Sequence, residues 1–227
     1  EALDICKASG NVFVFLIANV NLAVTLRQQG QLQQTLEICQ KQIQFASDNG
    51  MSQIIVVGWF YAIWGEVLAE LNDFDSALNM AQKGVELDEH CGDEGGMLRD
   101  SYLCLIRTLY SMGNLAGAQE IIQKLDNIVL ESGVTTKIKS KSAAWQVRIW
   151  LAQNKLETAS QWVKKRGLNV NDKLAFLHED EYTVLARILI AQGRLEAANK
   201  LLQQLLEAAE TGGRTTRVIE IYLLQAL

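Results

Sequence analysis

The sequence predicts an all-α fold, a superhelix of about five stacked antiparallel helix pairs. Three observations predict it. One short pattern recurs five times along the 227 residues, with a pivot at 30, 72, 113, 154 and 193, spaced 42, 41, 41 and 39 apart. Self-similarity at such a fixed period marks a repeat array. The chain contains no Pro, where average usage of roughly 5% would give about 11, and that absence favours long uninterrupted helices. Apolar residues recur at helical spacing on both sides of each pivot, as in Ile121, Ile122, Leu125 and in Leu201, Leu202, Leu205, Leu206. No segment alternates as a half-buried strand would.

Each position of the pattern has a physical reason. The pivot is always Gly or Asn: Gly30, Asn72, Gly113, Asn154, Gly193. These two residues most readily take the left-handed conformation that closes a helix. Four residues earlier stands a large apolar residue (Leu26, Leu68, Leu109, Trp150, Leu189). Two residues after the pivot comes Leu32, Phe74, Leu115, Leu156 or Leu195, placed to pack back over the turn. Three further on comes Thr35, Ala77, Ala118, Ala159 or Ala198, small enough for the second helix to lie against the first. Seven before the pivot the residue is small in Ala23, Gly65 and Ala186 and larger in Ile106 and Val147.

Taken in order, the first helices of the pairs are expected over 12–29, 52–71, 97–112, 137–153 and 177–192. Their partners are expected over 32–48, 74–90, 115–132, 155–166 and 194–211. Residues 1–9 read as the tail of an earlier second helix, and 214–227 as the start of a sixth first helix. Such pairs cannot bury their faces alone, so they stack. The pattern is interrupted at both ends, so the expectation is a single helical-repeat domain over 1–227 that is a piece of a longer chain.

Composition narrows the function. Hydrophobic residues make up 49% and charged residues 21%, the balance of an ordered chain. The net charge of −5 argues against direct nucleic-acid binding, which calls for a basic surface. The apolar stretches 12–26 and 54–65 fall short of the roughly 20 residues a membrane span needs, so no membrane partner is expected. The four cysteines, at 6, 39, 91 and 104, form no CxxC pair, so reduced thiols in the cytoplasm are expected.

First helices of such pairs line a concave surface. Positions three, six, ten and thirteen before a pivot share one helix face. Repeat one places Ile17, Val20, Val24 and Arg27 there, and repeat two places Trp59, Ala62, Glu66 and Ala69. Repeat three gives Asp100, Leu103, Arg107 and Tyr110. Repeat four gives Lys141, Ala144, Arg148 and Leu151, and repeat five gives Asp180, Thr183, Arg187 and Ile190. Arg107, Arg148 and Arg187 share the six-before position, where repeat two has Glu66. One reading is a polar groove, with guanidinium forks for a sugar, carboxylate or phosphate and with Trp59 and Tyr110 as stacking surfaces. The other is an intramolecular ladder of Glu66–Arg107, Asp100–Lys141 and Lys141–Asp180 rungs, since ion-pair networks mimic sites.

Other clusters carry less. The acids around His90 and Cys91, running to Asp93 and Glu94 beside Gly92, Gly95 and Gly96, match no metal-binding loop and read as an acidic linker. His90 and His178 lack a nucleophile partner, so no catalytic residue and no metal site is expected. Lys137, Lys139 and Lys141, and Lys164 to Arg166, read as solvated faces or interdomain contacts. Trp64, Trp145, Trp150 and Trp162 read as packing residues.

The Gly-x-Leu/Phe-x-x-Ala core with Leu four before the Gly resembles the tetratricopeptide (TPR) repeat. That resemblance implies a right-handed TPR-like solenoid, here with a unit of about 41 residues rather than the usual ~34. The run from Glu181 to Ala198, and Arg214-Thr-Thr-Arg217-Val-Ile-Glu220-Ile, look like the sensor region of MalT-like, LuxR-type ATP-dependent regulators. Leu71-Asn72-Asp73-Phe74 and the stretch from Ala159 through Trp162 to Leu168 fit the same group. The resemblance implies a sensor that binds a small inducer and relays it to an ATPase and a helix-turn-helix domain elsewhere in the chain, with self-association. No GxxxxGK[ST] run is present, so ATP is expected on a separate N-terminal domain and no cofactor on this one. The expected groove residues are Arg27, Trp59, Glu66, Asp100, Arg107, Tyr110, Lys141, Arg148, Asp180, Thr183 and Arg187. The alternative is a free-standing peptide-binding scaffold of the TPR type.

Overall fold

The computed structural model describes residues 11–92, 97–131, 136–174 and 178–227. The expected helical tail at 1–9 and residues 93–96 of the acidic linker lie outside these. The fold is all-α, built from antiparallel pairs. Its helices are α1 Val12–Gln28, α2 Leu32–Asp48, α3 Ile55–Glu70, α4 Phe74–Cys91, α5 Met97–Ser111 and α6 Leu115–Glu131. They continue with α7 Thr136–Ala152, α8 Leu156–Arg166, α9 Glu179–Ala191, α10 Leu195–Thr211 and α11 Thr215–Gln225. Among the described residues no helix is long and apolar enough to cross a membrane.

Every pivot closes its helix in the same way. Gly30, Asn72, Gly113, Asn154 and Gly193 all have positive φ, from 59° to 77°. The pivot N–H bonds the carbonyl three residues back, and the next N–H bonds the carbonyl five back, as in Asn154 to Leu151 (3.0 Å) and Lys155 to Trp150 (2.8 Å). This is the Schellman closure, which satisfies carbonyls a helix end otherwise leaves orphaned. Gly213 repeats it between α10 and α11. The carbonyls reached by the second of these bonds belong to the large apolar residues four before each pivot. The residue two after the pivot is half-buried in Leu32, Phe74, Leu115 and Leu156, but Leu195 is 55% exposed and does not pack back over its turn.

The residues fall into two compact units, 1–114 and 115–227. In unit 1 each first helix packs on its partner and on the next first helix, so α1 meets α3 and α3 meets α5. Leu16, Val20 and Ala23 of α1, Cys39 of α2, and Val56, Phe60 and Ile63 of α3 form one buried cluster. Burying each large side chain contributes about 2 kcal/mol. α3 and α4 approach closely because Gly58, Gly65 and Gly84 line their contact: a Cβ on Gly65 would stand 2.6 Å from the Ala77 carbonyl oxygen. In this pair the small residues on either side of the pivot, Gly65 and Ala77, therefore set the helix-to-helix distance.

In unit 2, α7 packs on α8 and on α9, and α9 on α10. Ala144 and Val147 of α7 join Ala159 of α8 and Val184 and Ile188 of α9. A second cluster joins Leu185 and Leu189 of α9 to Leu201, Leu205 and Ala209 of α10 and Ile221 and Leu224 of α11. Three acids open α9 and three basic residues close α8, each sign facing the favourable end of the helix dipole.

Candidate functional site

The first-helix face is built from half-buried positions, and burial sorts its four registers. The ten-before residues, Val20, Ala62, Leu103, Ala144 and Thr183, are at most 2% exposed. They belong to the packing between helices, so Thr183 sits behind the face rather than on it. Its hydroxyl donates to the Glu179 carbonyl at 2.9 Å. Ile17, Trp59, Asp100, Lys141 and Asp180, thirteen before, are all half-buried, as are Arg107, Arg148 and Arg187 at six before.

In unit 1 the face gathers around Glu66, whose side chain is 4% exposed. Arg27 Nη1 lies 2.6 Å and Arg107 Nε 2.5 Å from its Oε1. The Cys104 thiol donates to its Oε2 at 3.0 Å. Arg27 also donates to Glu70 at 3.0 Å. Two cations thus meet two carboxylates, and the expected Glu66–Arg107 rung is present with Arg27 added. Burial pushes the Cys104 thiol pKa up, and the adjacent Glu66 carboxylate adds to the rise. Trp59 packs against the apolar cluster of α1–α3, and Asp100 and Tyr110 stand half-buried on α5.

In unit 2 the face gathers around Glu220 of α11. Arg148 Nη2 on α7 and Arg187 Nη2 on α9 donate to its Oε1 at 2.5 and 2.8 Å. Arg217 Nη1 donates to its Oε2 at 2.6 Å. Arg217 also pairs with Asp180 and reaches the Thr183 hydroxyl at 3.5 Å. Arg214 pairs with Glu179 at 3.1 Å. The Arg148 guanidinium lies over the half-buried Trp145 ring, 4.6 Å from its centroid, so this Trp supports the cluster.

The charges shift one another. Burial works to raise the Glu220 pKa, but Arg148, Arg217 and Arg187 hold it well below the usual carboxylate range. Burial likewise opposes the ionised form of Asp180, which Arg217 and, further off, Lys141 bring below its ordinary value. Burial would lower the Arg217 pKa, yet Glu220, Asp180 and Glu179 outweigh it and raise it. Arg148 is lowered: burial is the largest cause, and Glu220 does not fully offset it.

The fold thus brings together Arg27, Glu66 and Arg107 in one unit, and Arg148, Asp180, Thr183 and Arg187 in the other, with Lys141 acting on Asp180. Sequence reasoning missed Glu220 and Arg217 as site residues. Glu220 stands 40 residues after Asp180, within the repeat spacing, so the thirteen-before register of the sixth first helix marks it. The basic end of α8 is exposed, with Arg166 bound to the buried Glu181 at 2.8 Å. His178 Nδ1 lies 2.9 Å from the same carboxylate. Among the described residues no three His, Cys, Asp or Glu side chains assemble as a metal-ligand set.

The family model of the MalT-like TPR region matches residues 1–227. No curated protein matches the chain. Among solved structures, a singly substituted form of a Podosopora anserina kinesin-light-chain-type protein with nearly identical TPR-like repeats is similar, at 17% identity and a TM-score of 0.60. The match covers 87% of this chain and 96% of that one. The form without that substitution aligns at 17% identity and a TM-score of 0.59, covering 86% and 96%. At such identity the likeness establishes the fold: TPR-like helix pairs.

Proposed function

Because the chain belongs to the MalT-like TPR region family, we propose that it is the ligand-sensing module of a LuxR-type, ATP-dependent bacterial transcription activator. In this reading it binds a small inducer on the first-helix face and relays binding to an ATPase and a DNA-binding domain outside these residues. ATP and DNA belong to those domains, and the chain itself carries no catalysis. Free thiols at Cys39, Cys91 and Cys104 suit a reducing cytoplasm.

One observation carries the reading. Arg148 and Arg187 stand one repeat apart in the same register and meet on a single carboxylate oxygen of the next first helix. A ligand at that point touches α7, α9 and α11 together. It can therefore favour one arrangement of three successive helices over another, which is what a relay requires.

The test is the Arg148→Gln, Arg187→Gln double variant in the whole regulator. Inducer-dependent transcription from a reporter should fall about tenfold or more, as expected for losing charge-assisted hydrogen bonds. Far-ultraviolet circular dichroism of the same variant should retain the helical spectrum. An unchanged response to inducer would remove the face from the sensing mechanism.

A further inference from the structure

We propose that the unit 2 face binds an anionic group, a carboxylate or a phosphate, and that Glu220 is its built-in surrogate. The side chain holds the arginines in place until the ligand's anion displaces it. This rests on the sensor reading of the same face and gives that reading a ligand class.

The arrangement around Glu220 is already that of a bound anion. Two guanidinium groups from successive repeats converge on Oε1, and a third takes Oε2. Each guanidinium gives one nitrogen to the carboxylate, and such charge-assisted N–H···O bonds are how Arg recognises carboxylate and phosphate oxygens. The local charge is in surplus. Arg148, Arg187 and Arg217 meet Glu220 and Asp180, Lys141 adds its charge at Asp180, and Glu179 is shared between Arg214 at 3.1 Å and Arg217 at 3.8 Å. A chain with a net charge of −5 concentrates positive charge here against its overall balance.

Unit 1 provides the control. There Arg27 and Arg107 meet Glu66 and Glu70 in equal number, and Glu66 is shut away from solvent. In unit 2 the acid and one partner are reachable: the Glu220 side chain is 21% exposed and that of Arg187 29%, with Arg148 and Arg217 deeper at 14% and 18%. The buried Nε–H of Arg187 finds no acceptor among the described residues. The site can therefore use a further anionic oxygen, and a cationic ligand would be repelled.

Exchange has a structural consequence. Glu220 is the acid through which α11 is tied to both Arg148 and Arg187. When an external anion takes those guanidinium groups, this tie from α11 to α7 and α9 is released. Binding at the face thereby becomes movement of the next first helix.

The experiment titrates the native chain, Glu220→Gln, Arg187→Gln and the Glu220→Gln, Arg187→Gln double variant with sodium phosphate and, separately, sodium acetate. Ionic strength is held constant with chloride. Binding is read from Trp145 fluorescence, with Trp145→Phe identifying its share, and from the melting midpoint. Glu220→Gln should bind one of the two anions roughly tenfold tighter than the native chain, and the double variant should lose that gain. The anion that shows the gain names the source class. Equal affinity in the native chain and Glu220→Gln for both anions would overturn the proposal.

If Glu220→Gln does not fold, the native chain and Arg187→Gln decide. The rise in native melting midpoint with phosphate or acetate over chloride should fall at least about threefold in Arg187→Gln, and equal rises would overturn the proposal. The two readings fail separately. No gain in Glu220→Gln, alongside a lost inducer response in Arg148→Gln, Arg187→Gln, sinks the anion exchange and leaves the sensor. A gain without that lost response does the reverse.

Discussion

Gly58 and Asp88 compete for one volume: a Cβ on Gly58 would stand 1.9 Å from Asp88 Oδ1. Asp88 is fully buried and accepts the Ser101 hydroxyl at 2.5 Å, so it has little room to swing aside. The Gly84 carbonyl oxygen would lie 2.8 Å from the same Cβ. Gly58→Ala should therefore push α3 and α4 apart and cost about 1–3 kcal/mol. The check is a lower urea midpoint with an unchanged slope. A native midpoint would mean that Asp88 moves clear without penalty.

The pivots give a second prediction. Asn154 holds φ at 59° and is exposed. Asn154→Val should cost about 1–2 kcal/mol, because a β-branched residue resists the left-handed region. Asn154→Gly should be neutral or slightly stabilising. Thermal melts of the pair of variants would separate them, and equal midpoints would deny that backbone conformation selects this residue.

Glu66 is the acid on which unit 1 depends. Glu66→Ala would take from Arg27 and Arg107 the buried carboxylate they share, leaving Glu70 to Arg27, and a loss of about 3 kcal/mol is expected in equilibrium unfolding. Removing Arg27 and Arg107 as well should be less harmful than removing the acid alone, since the charge then left without Arg27 is that of Glu70, whose side chain is 30% exposed. If the triple variant proves the weaker protein, the cluster contributes net attraction beyond its desolvation cost.

Acid should weaken unit 2 in a defined direction. An unfolded Glu takes up its proton near pH ~4.3, whereas folded Glu220 does so only at lower pH because three arginines stabilise its charge. Between those values the unfolded state holds more protons, so stability rises with pH across that window. The contribution is complete above it and is lost as pH falls through the folded value. A series of urea midpoints should be flat from neutral pH to about 5 and decline from about 4 downward, with a shallower decline in Glu220→Gln. A decline starting near pH ~6 would point to a different group.

The thiols should differ in reactivity. Burial pushes the Cys39 pKa up to about 12, and Cys104 is raised by burial and by Glu66. Neither forms thiolate near neutral pH, and thiolate is the reactive species. Iodoacetamide at about pH 8 should label half-buried Cys91 while leaving these two intact, as read by peptide mass mapping. Rapid modification of Cys104 would show that the Glu66 cluster opens in solution.

Much of this molecule is legible from residue type because a few positions leave no choice. The left-handed turn leaves Gly or Asn as its mark, so the helix boundaries fall within a few residues of expectation. The close contact of α3 and α4 leaves Gly65 and Ala77. Depth is harder to read than direction. Periodicity places Thr183 in the right angular sector, but its ten-before register lies against the neighbouring helix, and packing hides it. Glu220 and Arg217 escape notice because no pivot follows them from which to count back, although the 40-residue step from Asp180 reaches Glu220. Trp145 reads as a packing residue because aromatic residues at helical spacing usually are, and periodicity alone does not show that its ring also lies under the Arg148 guanidinium.

The Schellman closure at each pivot is made by main-chain atoms. Only the pivot residue itself answers for the bend. The thirteen-before and six-before side chains take no part in it, so the chemistry displayed on the face is decoupled from the geometry that displays it. Two substitutions per repeat can change what this face recognises while every corner stays as it was.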